Sequence, residues 1–194
     1  MLIRNIWCVG RNFREHTKEL GNPIPSEPFF FLKAGSCALA PGEPIQLPSF
    51  SSHIDYEVEI ALQFNERLQI ERGCLALDLT ARDFQKKAKE QGLPWTLSKS
   101  FAGSCPLGPF FPLSEELPDR VFELHVNGAL VQKGHRDEMV FKPRALIPAL
   151  LAKFPVQPGD LLLTGTPSGT SKAHPGDRVV ARISGLSEAL WIVL

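Results

Sequence analysis

Residues 56–64 read YEVEIALQF, and the reading of that run decides the fold. Side chains in a strand alternate faces, so Glu57 and Glu59 would stand side by side on one face with Val58 and Ile60 on the other. Two like charges that close repel. The face is therefore either open to water or built around a divalent cation shared by the two carboxylates. The spacing alone leaves both readings open.

Outward from that strand, 17 prolines and 15 glycines break the chain into short apolar segments. That punctuation predicts many short strands and few helices. Strands are expected over 3–9 (IRNIWCV), 29–33 (FFFLK) and the apolar run 74–80 (CLALDLT). Two more, near 121–126 and 129–132, are joined by Asn127-Gly128, a hairpin signal. Further strands follow in LLLTGTPSG and RVVARI, each launched from a Pro-Gly-Asp turn at 158–160 and 175–177. GRNFREHTKELG reads as a short helix with Asn12 as its cap, stopped by Gly21 and Pro23. Residues 81–92 read as a polar helix ended by Gly92, and 143–152 as a buried helix with Pro143 in its first turn. The count predicts a β-rich α+β fold in a single domain spanning 1–194.

Lys plus Arg and Asp plus Glu number 21 each, so no basic excess invites nucleic acid or a membrane surface. No apolar run reaches the length of a membrane span. The run before Arg11 is too short for a secretory signal, which makes the cytoplasm the expected compartment. Cys8, Cys37, Cys74 and Cys105 lack zinc or redox spacing and are expected to be free, mostly buried thiols.

The chemistry-bearing residues are mostly carboxylates. Asp78 interrupts the apolar run LALDL, where a buried charge is costly unless paired or ligated; it could instead cap the helix that follows. Joined to Glu57 and Glu59 it would complete an all-oxygen set, which suits Mg²⁺ or Mn²⁺ better than zinc. Lys99, in TLSKSF, is either an exposed tip or a donor to a substrate carboxylate or enolate. His16 and Glu19 are three apart on one helix face, as a surface pair or as a general base with its orienting carboxylate. Arg82 and Gln85 share a face of the helix after Asp78. The turn LTGTPSG offers backbone donors and the hydroxyls of Thr164 and Thr166, and could hold an anion. His53, His125, His135 and His174 show no ligand spacing.

Taken together, CVGRNFREHTKE, SEPFFFLK, DYEVEIAL, ALDLTARDFQKKAKEQGLPWTLSKSFAGSCPLGPF, VNGALVQKG and PGDLLLTGTPSG resemble the fumarylacetoacetate hydrolase family over nearly the whole chain. The small acylpyruvase and oxaloacetate decarboxylase type is the most similar. The resemblance implies a mixed β-roll, a homodimer, and Mg²⁺ or Mn²⁺ held by Glu57, Glu59 and Asp78. It implies that Lys99, Gln85 and Thr166 contact a 2-oxo acid, with Arg82 beside them. His16 and Glu19 would be a water-activating dyad on a lid helix within residues 1–50. The implied activity is cleavage of a C–C bond through a metal-stabilised enolate, in acylpyruvate hydrolysis or oxaloacetate decarboxylation. Isomerisation or tautomerisation on the same site is the alternative, and a non-catalytic metal-binding role the second. In two places the chain departs from the family pattern. The 65–73 connection is shorter than in relatives, and His135 and Arg136 replace small polar residues in a loop expected to bear on substrate choice.

Overall fold

The computed structural model describes residues 2–19, 21 and 23–194. In chain order its strands are β1 Asn5–Gly10, β2 Phe29–Ala34, β3 Ala38–Leu39, β4 Ile54–Tyr56, β5 Val58–Phe64, β6 Ile70–Leu77, β7 Thr80–Ala81 and β8 Cys105–Pro106. There follow β9 Phe111–Pro112, β10 Phe122–Val126, β11 Ala129–Gly134, β12 Leu161–Leu163, β13 Ser171–Lys172, β14 Arg178–Ile183 and β15 Ser187–Ile192. The helices are α1 Arg14–Glu19, α2 Arg82–Gln91, α3 Thr96–Lys99 and α4 Pro143–Leu151. The fold is β-rich α+β, as the punctuation of the sequence predicts.

A mixed sheet runs β2-β1-β12-β5-β6-β9, with only β1 and β12 parallel. An antiparallel sheet runs β11-β10-β14-β15, and smaller pieces are β13-β4-β7 and β3-β8. Val58, Ile60 and Leu62 of the large sheet pack with Phe122, Leu124, Val179 and Trp191 of the second in one apolar core. On the opposite face of β5, Ala61 packs with Cys8, Cys74, Ala76 and Cys105. Strand β5 is thus buried on both faces, and the reading of its glutamate face as open to water does not hold. All four cysteines are free and buried.

The run read as one strand over 56–64 is broken at Glu57. Residues 54–56 belong to the small sheet and 58–64 to the large one. The register does not change across the break: Val58 pairs with Leu77 on one side, and Asp55 pairs with Thr80 on the other. One antiparallel ladder therefore leaves the large sheet and continues in the small one. Glu57 and Asp78 face each other at the crossing, with Asp78 N–H donating to Glu57 O at 2.8 Å.

Local chemistry explains most boundaries. Gly92 closes α2 in the left-handed region (φ 65°), returning its N–H to Ala88 O. Asn127 and Gly128 both take positive φ (52° and 85°), the demand of a two-residue hairpin turn. The short 65–69 connection is a turn in which Asn65 Oδ1 accepts from the N–H groups of Arg67 and Gln69. Asn12 does not cap α1. Its amide instead donates to Phe141 O at 2.9 Å and Thr164 O at 2.8 Å and accepts from Phe141 N at 2.8 Å. A residue read as a local cap is a long-range tie at the root of that helix.

Candidate active site

The hairpin register builds the centre of the site. Residues opposite one another in an antiparallel pair project from the same face, so Asp78 meets Glu57, and Glu59 follows two residues along. One oxygen from each of the three carboxylates lies within 4.8 Å of the others, and all three residues are buried. Asp78 does not cap α2; its side chain points inward. Among the described residues a second trio, Asp119, His135 and Asp137, lies at the surface with both aspartates exposed and His135 half-buried, and Asp137 is paired to Lys142.

Three cations answer the buried acids. Lys99 Nζ donates to Glu57 Oε2 (2.7 Å), Asp78 Oδ2 (2.6 Å) and Thr80 Oγ1 (2.6 Å), which uses all three of its protons. Arg82 reaches Glu57 Oε1 at 2.5 Å and Asp55 Oδ2 at 2.7 Å. Lys33 is fully buried, with Nζ 2.8 Å from Asp78 Oδ1. Its hydrogen bonds, however, go to the carbonyls of Leu79, Lys99 and Ser104. The Lys33–Asp78 contact is one of charge, and Asp78 Oδ1 keeps a buried lone pair that receives no hydrogen bond.

Among the described residues Glu59 forms no ion pair. Its Oε2 accepts from Gly165 N at 2.6 Å. The TGTP turn thus turns the Gly165 N–H onto this carboxyl. Gly165 sits at φ 96°, and a Cβ there would fall 2.8 Å from Asn12 Cβ, so a glycine lets the turn approach. Burial, then the charges of Asp78 and Glu57, push the Glu59 carboxyl well above the usual range. Burial pushes Glu57 up too, but Lys99 and Arg82 outweigh it and hold that carboxyl well below the usual range.

This set fits a hard divalent cation: three oxygen donors, an unanswered lone pair on Asp78 and an unneutralised Glu59, all sheltered from water. Glu57, Glu59 and Asp78 would hold it.

Around this centre is a cleft of about 470 Å³, counted to its mouth. Glu57, Glu59, Asp78, Arg82, Gln85, Lys99, Thr166 and His16 all line it. Glu19 is absent from the lining; its Oε2 lies 3.2 Å from His16 Nδ1 and accepts from that nitrogen in the tautomer that carries the proton there. Gln85 Oε1 accepts from Arg82 Nη1 at 2.9 Å. Thr166 Oγ1 accepts from Gln132 Nε2 at 2.9 Å. His135 and Arg136 do not line the cleft. They engage Asp119 and Leu117 O, and the segment that follows them meets the root of α1, where Asn12 O accepts from Val140 N and Met139 bridges Phe13.

Sequence reading passed over Lys33, which ends the apolar run 29–33, yet is the most buried residue of β2. It also passed over Gln132, which ties Val58 N to Thr166 and Pro167 O. No local pattern marks either one.

The family model described as fumarylacetoacetate (FAA) hydrolase C-terminal matches residues 5–190. The mitochondrial oxaloacetate decarboxylase of Dictyostelium discoideum is 40% identical, over 94% of this chain and 90% of its own. The human mitochondrial oxaloacetate tautomerase FAHD1 is 36% identical, over 94% and 88%. The fumarylpyruvate hydrolase of Pseudomonas aeruginosa, solved with Mn²⁺ and pyruvate, superposes with a TM-score of 0.90 at 30% identity, covering 99% of this chain and 90% of that one.

Proposed function

The chain belongs to the fumarylacetoacetate hydrolase family, and on that premise we propose that it is a divalent-metal-dependent enzyme acting on 2-oxo acids through their enolates. The observation that carries this reading is the buried trio Glu57, Glu59 and Asp78 at the floor of a cationic cleft. A Mg²⁺ or Mn²⁺ ion held there would supply a Lewis acid that polarises the 2-oxo acid and stabilises the enolate left when a bond at C3 breaks.

The chain's own groups do the rest. Lys99 trades one of its carboxylate hydrogen bonds for a substrate oxygen and offsets the charge that develops there. Gln85 and Arg82, side by side on α2, and the Thr166 hydroxyl orient the substrate. His16, held by Glu19, takes a proton from water in acylpyruvate hydrolysis, and the resulting hydroxide attacks the distal carbonyl. Oxaloacetate decarboxylation needs the same floor without the water. Keto–enol tautomerisation is the second reading. It is favoured by the name of the human relative and needs only a proton moved at C3, within the competence of His16.

The partners in this reading are a small 2-oxo acid and a second copy of the chain. Exposed Leu190, Ile192 and Leu194 near the C-terminal edge are surface that a homodimer could cover. No helix among the described residues is long and apolar enough to cross a membrane. Four free thiols suit the cytoplasm.

Exchange of the pyruvate methyl protons in D₂O, followed by NMR with Mg²⁺, tests the enolate. Metal-dependent deuteration is expected; no exchange above the uncatalysed rate would contradict the reading.

A further inference from the structure

Strand β11 lies at the edge of the second sheet and is largely exposed, yet Gln132 within it is buried. A buried amide needs a partner for its carbonyl and for both of its N–H protons. Gln132 has all three. Its Oε1 accepts from Val58 N at 2.9 Å, and its Nε2 donates to Pro167 O at 2.8 Å and to Thr166 Oγ1 at 2.9 Å. Two of these partners fix the direction of the third bond. A backbone N–H can only donate and a carbonyl can only accept, so the amide cannot be flipped. The remaining Nε2 proton goes to Thr166, whose hydroxyl must accept it.

A hydroxyl has one proton to give, and the two hydroxyls of the TGTP turn spend theirs differently. Thr164 Oγ1 donates to Ile60 O at 2.9 Å. Among the described residues the Thr166 hydroxyl donates to none, and Thr166 lines the cleft with Glu59, Asp78 and Lys99. Backbone packing holds the arrangement in place. A Cβ on Gly169 would fall 2.2 Å from Val131 O, so the turn lies directly against β11. Val58 is the residue between Glu57 and Glu59, at the break in the ladder. Gln132 thus joins the carboxylate floor to the turn that carries Thr166.

We propose that Gln132 is a positioning residue that makes Thr166 a hydrogen-bond donor into the cleft, aimed at an anionic oxygen of the bound 2-oxo acid or its enolate. The amide occupies a lone pair of the hydroxyl and leaves its proton for the ligand. This rests on the 2-oxo-acid reading above and adds the group that sets the polarity of one substrate contact.

The probe is oxalate, a stable dianion that carries the two vicinal oxygens of such an enolate, titrated calorimetrically into the Mn²⁺-loaded protein. Thr166→Val is expected to weaken oxalate binding about 10–100-fold, the worth of one hydrogen bond to a charged acceptor. Thr166→Ser should retain most of the affinity. Gln132→Glu keeps an acceptor for Val58 N but offers Thr166 an oxygen in place of the N–H, which draws the hydroxyl proton inward. Gln132→Met, without charge, removes the constraint on the hydroxyl. Either change at Gln132 should cost about ten-fold more affinity with Thr166 present than in Thr166→Val, where no proton is left to position. Near-UV circular dichroism and Mn²⁺ titration report folding and the state of the floor in each variant. A purely structural Gln132 would give equal losses in both backgrounds. That result, or Thr166→Val binding oxalate as the wild type does, would overturn the proposal and leave the functional reading standing. No oxalate binding by the wild type would overturn both.

Discussion

Glu57 and Asp78 are neighbours across a hairpin, joined by the 2.8 Å bond from Asp78 N to Glu57 O where the ladder passes from one sheet to another. The crossing interrupts regular pairing but preserves register, so two acids 21 residues apart are forced onto one buried face with Glu59. The site is a consequence of strand pairing.

Asp78 is bound to two buried ammonium groups, whereas among the described residues the partner of Glu59 is the Gly165 N–H. Asp78→Asn leaves Lys33 and Lys99 short of a counter-charge and should cost about 3–5 kcal/mol of stability, the range for breaking a buried pair. Glu59→Gln keeps an acceptor for Gly165 and should change stability by less than about 1 kcal/mol. Both should weaken Mn²⁺ binding by well over the ~10–100-fold typical of outer-shell changes. Denaturant melts and metal titrations of the two variants check this; equal destabilisation would contradict the division of roles.

Lys33 ties three carbonyls and Asp78 together inside the core. Lys33→Met removes the charge but keeps much of the bulk. It should cost roughly 3–5 kcal/mol, with thermal unfolding as the readout. A variant within about 1 kcal/mol of the wild type would mean that the buried ammonium is dispensable to the fold.

In the proposed hydrolysis His16 acts on the attacking water, which decarboxylation does not use. His16→Ala should lower acylpyruvate hydrolysis by about 10²–10⁴-fold and oxaloacetate decarboxylation far less. Parallel losses on both substrates, measured as pyruvate release, would remove His16 from the role of base.

Asp177 supplies the pH prediction. Burial pushes its carboxyl up, but hydrogen bonds from His174 N, Asn127 and Tyr56 OH prevail, and its pKa lies below the usual carboxylate value. A depressed folded pKa gives stability that is present above the unfolded pKa of about 3.9 and is lost as pH falls through the folded value. Asp177→Asn should therefore be less stable at neutral pH, by about 1–3 kcal/mol for its unsatisfied partners. Its loss of stability below about pH 4 should be shallower than in the wild type. Identical acid limbs in urea melts would show that Asp177 does not contribute.

The long elements were legible in the sequence. Strand β5, helices α2 and α4 and the Asn127-Gly128 turn carry periodicity or turn chemistry over enough residues to be read, and the paired glutamates stood out as a charge conflict. The two-residue strands β3, β7, β8, β9 and β13 are too short to show any period. Strand β15, whose alternate residues Ala189 and Trp191 are buried, was readable and passed over. The meeting of Asp78 with Glu57 depends on register across a turn, and Asn12 bonds to residues 129 and 152 positions away. Such contacts follow from tertiary pairing and leave no local trace. The roles of Lys33 and Gln132 are of the same kind.

The most direct measurement is pyruvate release from acetylpyruvate and from oxaloacetate by metal-stripped protein, with and without Mg²⁺ or Mn²⁺. Glu57→Gln, checked for folding by near-UV circular dichroism, is run beside it. Release that requires the ion and disappears in the folded variant is the predicted result. Release without metal, or undiminished in Glu57→Gln, would contradict a metal–enolate site on Glu57, Glu59 and Asp78.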